Sequence, residues 1–448
     1  MKNAIQHTAI AAAIACGLVA VQVGNAAAPQ APSAHAITER RPIGAFSAIE
    51  LSGPYDVVIR AQSPTGLAVT GERKDIDEVE TVVRGDTLVV RPRSRSGFVF
   101  GFHFGKRRET VAIDIGAAGL KRLRMSGSGD VDLRQADADD FSIVNAGPGD
   151  LRADGSARRL TLRSSGSGGV DLQSFRAGDV DLVQSGPGDV ALAEVTGTLA
   201  IQLSGSGDLE ARGVRATRID ARISGPGGVQ LSGSGGALRL EASGSGDFDG
   251  CGLQVEEARS VQNGPGNACI AGRLRAFDAE VNGSGDLEVR GLQAESARLR
   301  LTGPGNAKLG GAVGSLEART TGSGDIAADD LNVRKAVLRG SGPGAIALAR
   351  VSESLDAELH GSGGLNATLA ARSLVLRMDG PGDVRLDGRV ERVDARLSGS
   401  GSLLARALDA GTADIHVTGP GSAAVHVGTA GNAGLMLVDR KGSRRSSE

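Results

Sequence analysis

The sequence predicts an all-β fold, a single-stranded right-handed parallel β-solenoid (β-helix) of about sixteen 19–20-residue coils with Gly-Ser/Pro-Gly corners. Three observations predict it. A Gly-Ser-Gly or Gly-Pro-Gly tripeptide begins at Gly127 and Gly147 and recurs to Gly399 and Gly419, sixteen copies whose spacing is always 19 or 20 residues. A fixed period of that length is the signature of stacked repeats. The flanks of each tripeptide alternate: Ile219, Ala221 and Ile223 precede Gly225, separated by Asp220 and Arg222, as a strand with one buried face requires. Phe, Tyr and Trp number 9, 1 and 0 against 68 glycines in 448 residues. An interior so poor in rings is narrow and filled by Val, Leu, Ile and Ala, which disfavours a compact enzyme core or an aromatic-girdled membrane barrel.

The chain begins with an address. Met1-Lys2-Asn3 is a short basic start, residues 9–23 are apolar and small, and Gly24-Asn25-Ala26 supplies a cleavage site. Residues 1–26 read as a signal peptide for Sec export, which places the mature chain in the periplasm, on the outer cell surface or in the medium. The apolar run is short for a membrane anchor, so no transmembrane segment is expected after cleavage. Cys16 follows Ala13-Ile14-Ala15 without the upstream leucine of a lipoprotein site. Residues 27–41, rich in Ala and Pro, read as a linker.

Residues 42–126 stand outside the period. Phe46-Ser47-Ala48-Ile49, Tyr55-Asp56-Val57-Val58-Ile59, Thr87-Leu88-Val89-Val90 and Thr110-Val111-Ala112-Ile113-Asp114-Ile115 read as strands. They are expected to form irregular first coils and the cap that a solenoid edge needs against aggregation. The array fills 127–438, with Gly434-Leu435-Met436-Leu437-Val438 closing the last coil, and 439–448 reads as a basic disordered tail.

Within the array, Ser and Pro alternate at the middle of the tripeptide without a break, so a larger unit of about 39 residues exists. Either one coil is a single unit, or a wider coil carries two tripeptides at opposite corners. The corner chemistry predicts a type II turn, with Pro148 fixing φ and Gly149 taking positive φ. Right-handed coiling follows from the handedness of parallel crossovers.

The serial Ser-Gly-Ser-Gly-Asp units, with Phe46 to Ile49, Gly53 and Val57 to Ile59, resemble the head GIN domain, a bacterial domain described as an auto-transporter adhesin head. The resemblance spans about residues 42–428. It implies an extracytoplasmic β-helix similar to the pectin-lyase and hexapeptide-transferase solenoids but without their catalytic residues, and adhesion as its role. The end of the chain, Ser446-Ser447-Glu448, lacks the terminal aromatic of a self-contained autotransporter, which leaves anchoring open.

Candidate chemistry is sparse. Asp follows the tripeptide in eight of sixteen copies, Asp130 and Asp150 among them. A carboxylate ladder suggests Ca²⁺, but the nonapeptide calcium spacing is absent and Asp, Asn, Gly and Ser are ordinary turn residues. No tripeptide completes a dinucleotide-binding glycine motif. The mature chain has His35, His103, His360, His416 and His426; the last two lie at different places in the coil with no Cys or His at ligand spacing nearby, so no catalytic residue, metal or cofactor is expected. With 50 basic and 52 acidic residues there is no field for nucleic acid.

Two features remain. Phe98, Phe100, Phe102 and Phe104 alternate between Arg95 and Arg107. They cover the open end of the first coil, form a patch for an anionic glycan, a membrane surface or a partner subunit, or belong to a disordered insertion. Cys251 and Cys269 fall in neighbouring coils at outward positions, offset by two residues. Strand geometry sets their Cα atoms ~8 Å apart, beyond an unstrained bridge, so a disulfide, two free thiols and a shifted register all stay open. The function expected is a non-enzymatic adhesion or surface-binding module for a glycan or protein, with self-association as a further mode. A periplasmic structural component and a carbohydrate-active β-helix enzyme are the alternatives.

Overall fold

The computed structural model describes residues 36–93, 111–428, 434–440 and 442–446. From Val131 onward the chain makes one turn per tripeptide. Val131–Asn145 runs parallel to Leu151–Ser164, with Val131 beside Leu151 and Phe141 beside Leu160. Leu151–Ser164 in turn runs parallel to Val170–Gln184. This pairing continues coil on coil to Ser422–Val427, about fifteen turns in all. One coil is therefore 19 or 20 residues, and the wider two-tripeptide coil is excluded.

Each coil turns three inward runs toward a shared core. In Leu209–Ile223 the buried apolar residues are Leu209 and Ala211, then Val214 and Ala216, then Ile219, Ala221 and Ile223. Alternation carries a polar residue outward between each buried pair, which is why the sequence periodicity was readable. The single hydrophobic core reaches from Phe46 to Val438. Full burial of one such aliphatic side chain contributes about 1.5–3 kcal/mol, repeated in every coil. Phe141 and Phe175 stand two coils apart, on either side of Leu151–Ser164, and their tilted rings meet in the core with centroids 6.0 Å apart.

The 19- and 20-residue spacings are reconciled at a bulge after the first run. Leu151 pairs with Val170, but Asp154 pairs with Ser174, so the longer coil inserts its extra residue between them. Some coil pairs carry a second shift between the second and third runs, as between Val333 and Lys335, and the third runs then stack in register from coil to coil.

The corners differ from the type II turn that the tripeptide suggests. No tripeptide glycine has φ in the positive region. Glycine is required there because the backbones of successive corners nearly touch: a Cβ on Gly149 would lie 2.2 Å from the carbonyl oxygen of Gly129. Positive φ occurs instead at the bulge, eight residues after the first corner glycine, at Gly213 (φ 64), Gly291 (φ 76), Gln135 (φ 56) and Glu194 (φ 51). The middle residue of the tripeptide, Pro148 or Ser167 for example, points to solvent.

Both ends are closed by antiparallel strands. At the N-terminal end the stacking order departs from chain order. Ala48–Leu51 lies between Thr87–Pro92 and Arg122–Met125, parallel to both. Asp56–Arg60 lies between Ala112–Gly116 and the start of Val131–Asn145. Gly53 thus occupies the corner column one coil ahead of Gly127, with its carbonyl 2.1 Å from where a Gly127 Cβ would stand. Gly66–Gly71 and Val79–Arg84 add antiparallel pairings, and a short helix, Arg73–Ile76, buries Ile76 beneath them. Part of the expected linker over 27–41 is also structured, because Ile37–Arg40 pairs antiparallel with Gly66–Gly71. At the other end Gly434–Asp439 pairs antiparallel with Ser422–Val427 and then with Gly442–Ser446. Within the stretch expected as a disordered tail over 439–448, Gly442–Ser446 forms an outer strand on Gly434–Asp439, the strand that itself covers the open edge of the last coil.

Candidate functional site

The outward surface is organised as side-chain ladders running along the stack. The ladder after the corner carries the aspartates that raised the question of calcium. Asp130 Oδ1 accepts the backbone N–H of Asp150 at 3.0 Å, and Asp150 Oδ1 accepts that of Gly169 at 2.7 Å. The longest run passes from Asp247 to Asn267, Asp286, Asn306, Asp325 and Ala345, each carboxylate or amide oxygen 2.7–2.9 Å from the next N–H. Asp and Asn serve equally because only one acceptor oxygen is needed. The ladder satisfies corner donors that the strand pairing leaves over, which is the turn role rather than a cation cage.

Charges elsewhere pair mostly between neighbours. Arg159 meets Asp140 at 2.6 Å and Arg300 meets Glu280 at 2.7 Å, both between adjacent coils. His360 lies between Asp379 at 2.7 Å and Glu358 at 3.2 Å. The hydrogen bond to Asp379, helped by the nearby Glu358, holds its imidazolium above the ordinary histidine range. His416 and His426 each contact a single aspartate, Asp414 and Asp409, and do not converge.

The structure brings Cys251 and Cys269 together. Their Cα atoms are 5.3 Å apart and the sulfurs are joined. The ~8 Å expected from uniform strand geometry fails because the register breaks just after Gly250, which pairs with Ile270, and the next paired residue is Gln254. The bulge carries Cys251 toward its partner. Asp249 pairs in register with Cys269, and its Oδ1 accepts the Cys251 N–H at 3.0 Å. These three residues form the one cluster of metal-ligating type among the described residues. With the sulfurs joined, it offers a lone carboxylate.

The aromatic and basic segment with Phe98, Phe100, Phe102, Phe104, Arg95 and Arg107 lies outside the described residues, as do residues 1–26. Its flanking strands, Thr87–Pro92 and Ala112–Gly116, are the layer stacked outside the first coil.

Sequence reasoning missed the buried amides. Asn145, Gln184 and Gln262 stand at inward positions two residues before their corners, where aliphatic residues were expected. Asn145 Nδ2 donates to the Gly168 carbonyl at 3.0 Å and Gln184 Nε2 to that of Gly188 at 2.6 Å. They bind the inner side of the glycine corners to the strand before them.

A parallel β-solenoid closed at both ends, with side-chain ladders along its long outer faces, defines a repeat protein of the β-helix class. More particularly, the chain belongs to the family described as "Putative auto-transporter adhesin, head GIN domain", which matches residues 45–213, 193–276, 270–367 and 359–435. Among solved structures it is similar to a putative adhesin from Bacteroides fragilis, with 16% identity over 69% of this chain and 97% of that one and a TM-score of 0.24. A putative adhesin from Parabacteroides distasonis shares 15% identity over 68% of this chain and 96% of that one, with a TM-score of 0.32. A putative lipid binding protein from the same species shares 18% identity over 83% and 97%, with a TM-score of 0.20. No curated protein matches the chain.

Proposed function

We propose that this protein is an exported, non-enzymatic adhesion module that presents a rigid rod to a surface glycan or protein. The observation that carries this reading is the continuity of the outward ladders over about fifteen turns, with antiparallel strands closing both ends. At one strand spacing per coil the stack is roughly 75 Å long. Closed ends suppress edge-to-edge growth, so contact falls to the side faces. Membership of a family described as adhesin heads supports the same reading.

The test uses the full-length gene in its own host or in a host with a Sec pathway. The expected result is a mature N-terminus following Ala26, recovery outside the cytoplasm, accessibility to added protease on intact cells, and reduced cell adhesion on deletion. An unprocessed cytosolic protein overturns the export reading. A processed protein that is protected in the periplasm, with adhesion unchanged on deletion, overturns the adhesive one.

A further inference from the structure

We propose that the groove across the coils from Gln293 to Ser352 binds an acidic sugar residue, a uronate or its equivalent, by charge. This names the ligand class for the adhesive role and rests on that reading. The groove has a volume of about 530 Å³ and opens over the coil that carries Ala312 and Gly314. Gln293, Ala312, Asn332 and Arg350 are register neighbours on four successive coils, all facing outward. Ala312, and Gly314 two residues on, are the small members, so a depression opens where the adjacent coils carry long side chains. Arg334 leans over it, with its guanidinium 3.1 Å from where a Gly314 Cβ would stand.

Three properties point to an anion. The lining contains Arg334 and Arg350 and no carboxylate. Neither guanidinium forms a hydrogen bond or ion pair with a described residue, whereas most surface arginines of this chain do. Glu353, within electrostatic reach of Arg334, is engaged by Lys335 at 3.4 Å and Arg372 at 2.7 Å and stands outside the lining. Two other grooves lack this combination. One sets Asp329 and Asp387 beside Arg385 and Arg406, and the other has Arg218 and Arg239 bound to Asp220 and Glu241.

The sugar class follows from what the groove offers. No aromatic ring lines it, so a neutral sugar would find no face to stack on. Two guanidiniums with planar forks suit a carboxylate, and the side chains of Gln293, Asn332 and Ser352 can hydrogen-bond ring hydroxyls.

Isothermal titration of the mature protein with trimannuronate, with neutral mannotriose and with triglutamate tests this. Trimannuronate is expected to bind saturably and to weaken as salt is raised. Mannotriose should give no measurable heat. The double variant Arg334→Gln/Arg350→Gln should lose about tenfold or more in affinity while keeping the wild-type circular dichroism. Ala312→Gln, which fills the depression but leaves both charges, should also weaken binding. The proposal is overturned if trimannuronate does not bind, if mannotriose binds as well, if triglutamate binds as tightly, or if either variant binds normally. Adhesion of the deletion strain is scored separately, so a failed groove leaves the adhesive reading standing.

Discussion

The carbonyl oxygen of Gly129 and the α-carbon of Gly149 approach so closely that a Cβ on Gly149 would stand 2.2 Å from that oxygen. The same contact recurs up the corner column, as between Gly188 and Gly207 or Gly285 and Gly305. Corner glycines are therefore a packing requirement between coils, and that changes which substitutions should hurt.

Gly149→Ala and Gly149→Val should both destabilise strongly, by about 3 kcal/mol or more, because backbone must move to admit any Cβ. Ser167→Pro should be nearly neutral, since that side chain is exposed, its N–H donates no backbone hydrogen bond, and Pro148 and Pro187 hold the same place in the adjacent coils. Gly213→Asn should cost only about 1 kcal/mol, because Gly213 has φ 64 and open space around it. Denaturant midpoints of the four variants check the ordering, and equal losses for Gly149→Ala and Gly213→Asn would refute it.

Removing one rung of the aspartate ladder has a predictable effect. Asp286 Oδ1 accepts from the Asn306 N–H at 2.8 Å and from its Nδ2 at 3.1 Å. Asp286→Ala should lose about 1 kcal/mol, whereas Asp286→Asn, which keeps the acceptor, should lose little. Adding EDTA or Ca²⁺ should not shift the wild-type melting curve. A Ca²⁺-dependent rise abolished by Asp286→Ala would restore the cation reading of this ladder.

His360 supplies a pH dependence with a definite sign. Its folded-state pKa is raised above the ordinary 6.5, first through the hydrogen bond to Asp379 and then through Glu358. The stabilisation is therefore complete below the unfolded pKa and is lost as pH rises through the higher folded value. The group is about half exposed, so the effect on stability is small. Proton NMR titration of His360 should give a pKa above that of a free histidine, and Asp379→Asn should lower it.

The cysteines make a prediction about oxidation state. Thiol titration of the unreduced, denatured mature protein should find Cys251 and Cys269 unreactive, as expected for an exported chain. The residues are 18 apart in sequence, and closing a loop of that size stabilises by up to about 3 kcal/mol in the chain-entropy estimate. Reduction should lower the melting temperature without loss of β-sheet circular dichroism. Two titratable thiols in the oxidised protein would refute the bridge.

The sequence by itself determined the coil. Period, strand alternation and the aliphatic interior were legible because a parallel stack places each residue over its equivalent one coil away. Any irregularity in the buried pattern would be repeated against its neighbours. The closing strand at Gly434–Asp439 was legible separately, as an apolar run past the last corner. What only the tertiary structure decided was contact between coils. Glycine at Gly149 looks the same in sequence whether it supplies positive φ or clears space for the Gly129 carbonyl. The proximity of Cys251 to Cys269 depends on a bulge after Gly250 that uniform spacing does not contain. The groove of Arg334 and Arg350 exists because Ala312 and Gly314 lie between longer side chains on stacked coils. Periodicity is a property of one strand's own residues, while these features come from the exact offset between neighbouring coils, which is set only when their backbones pair.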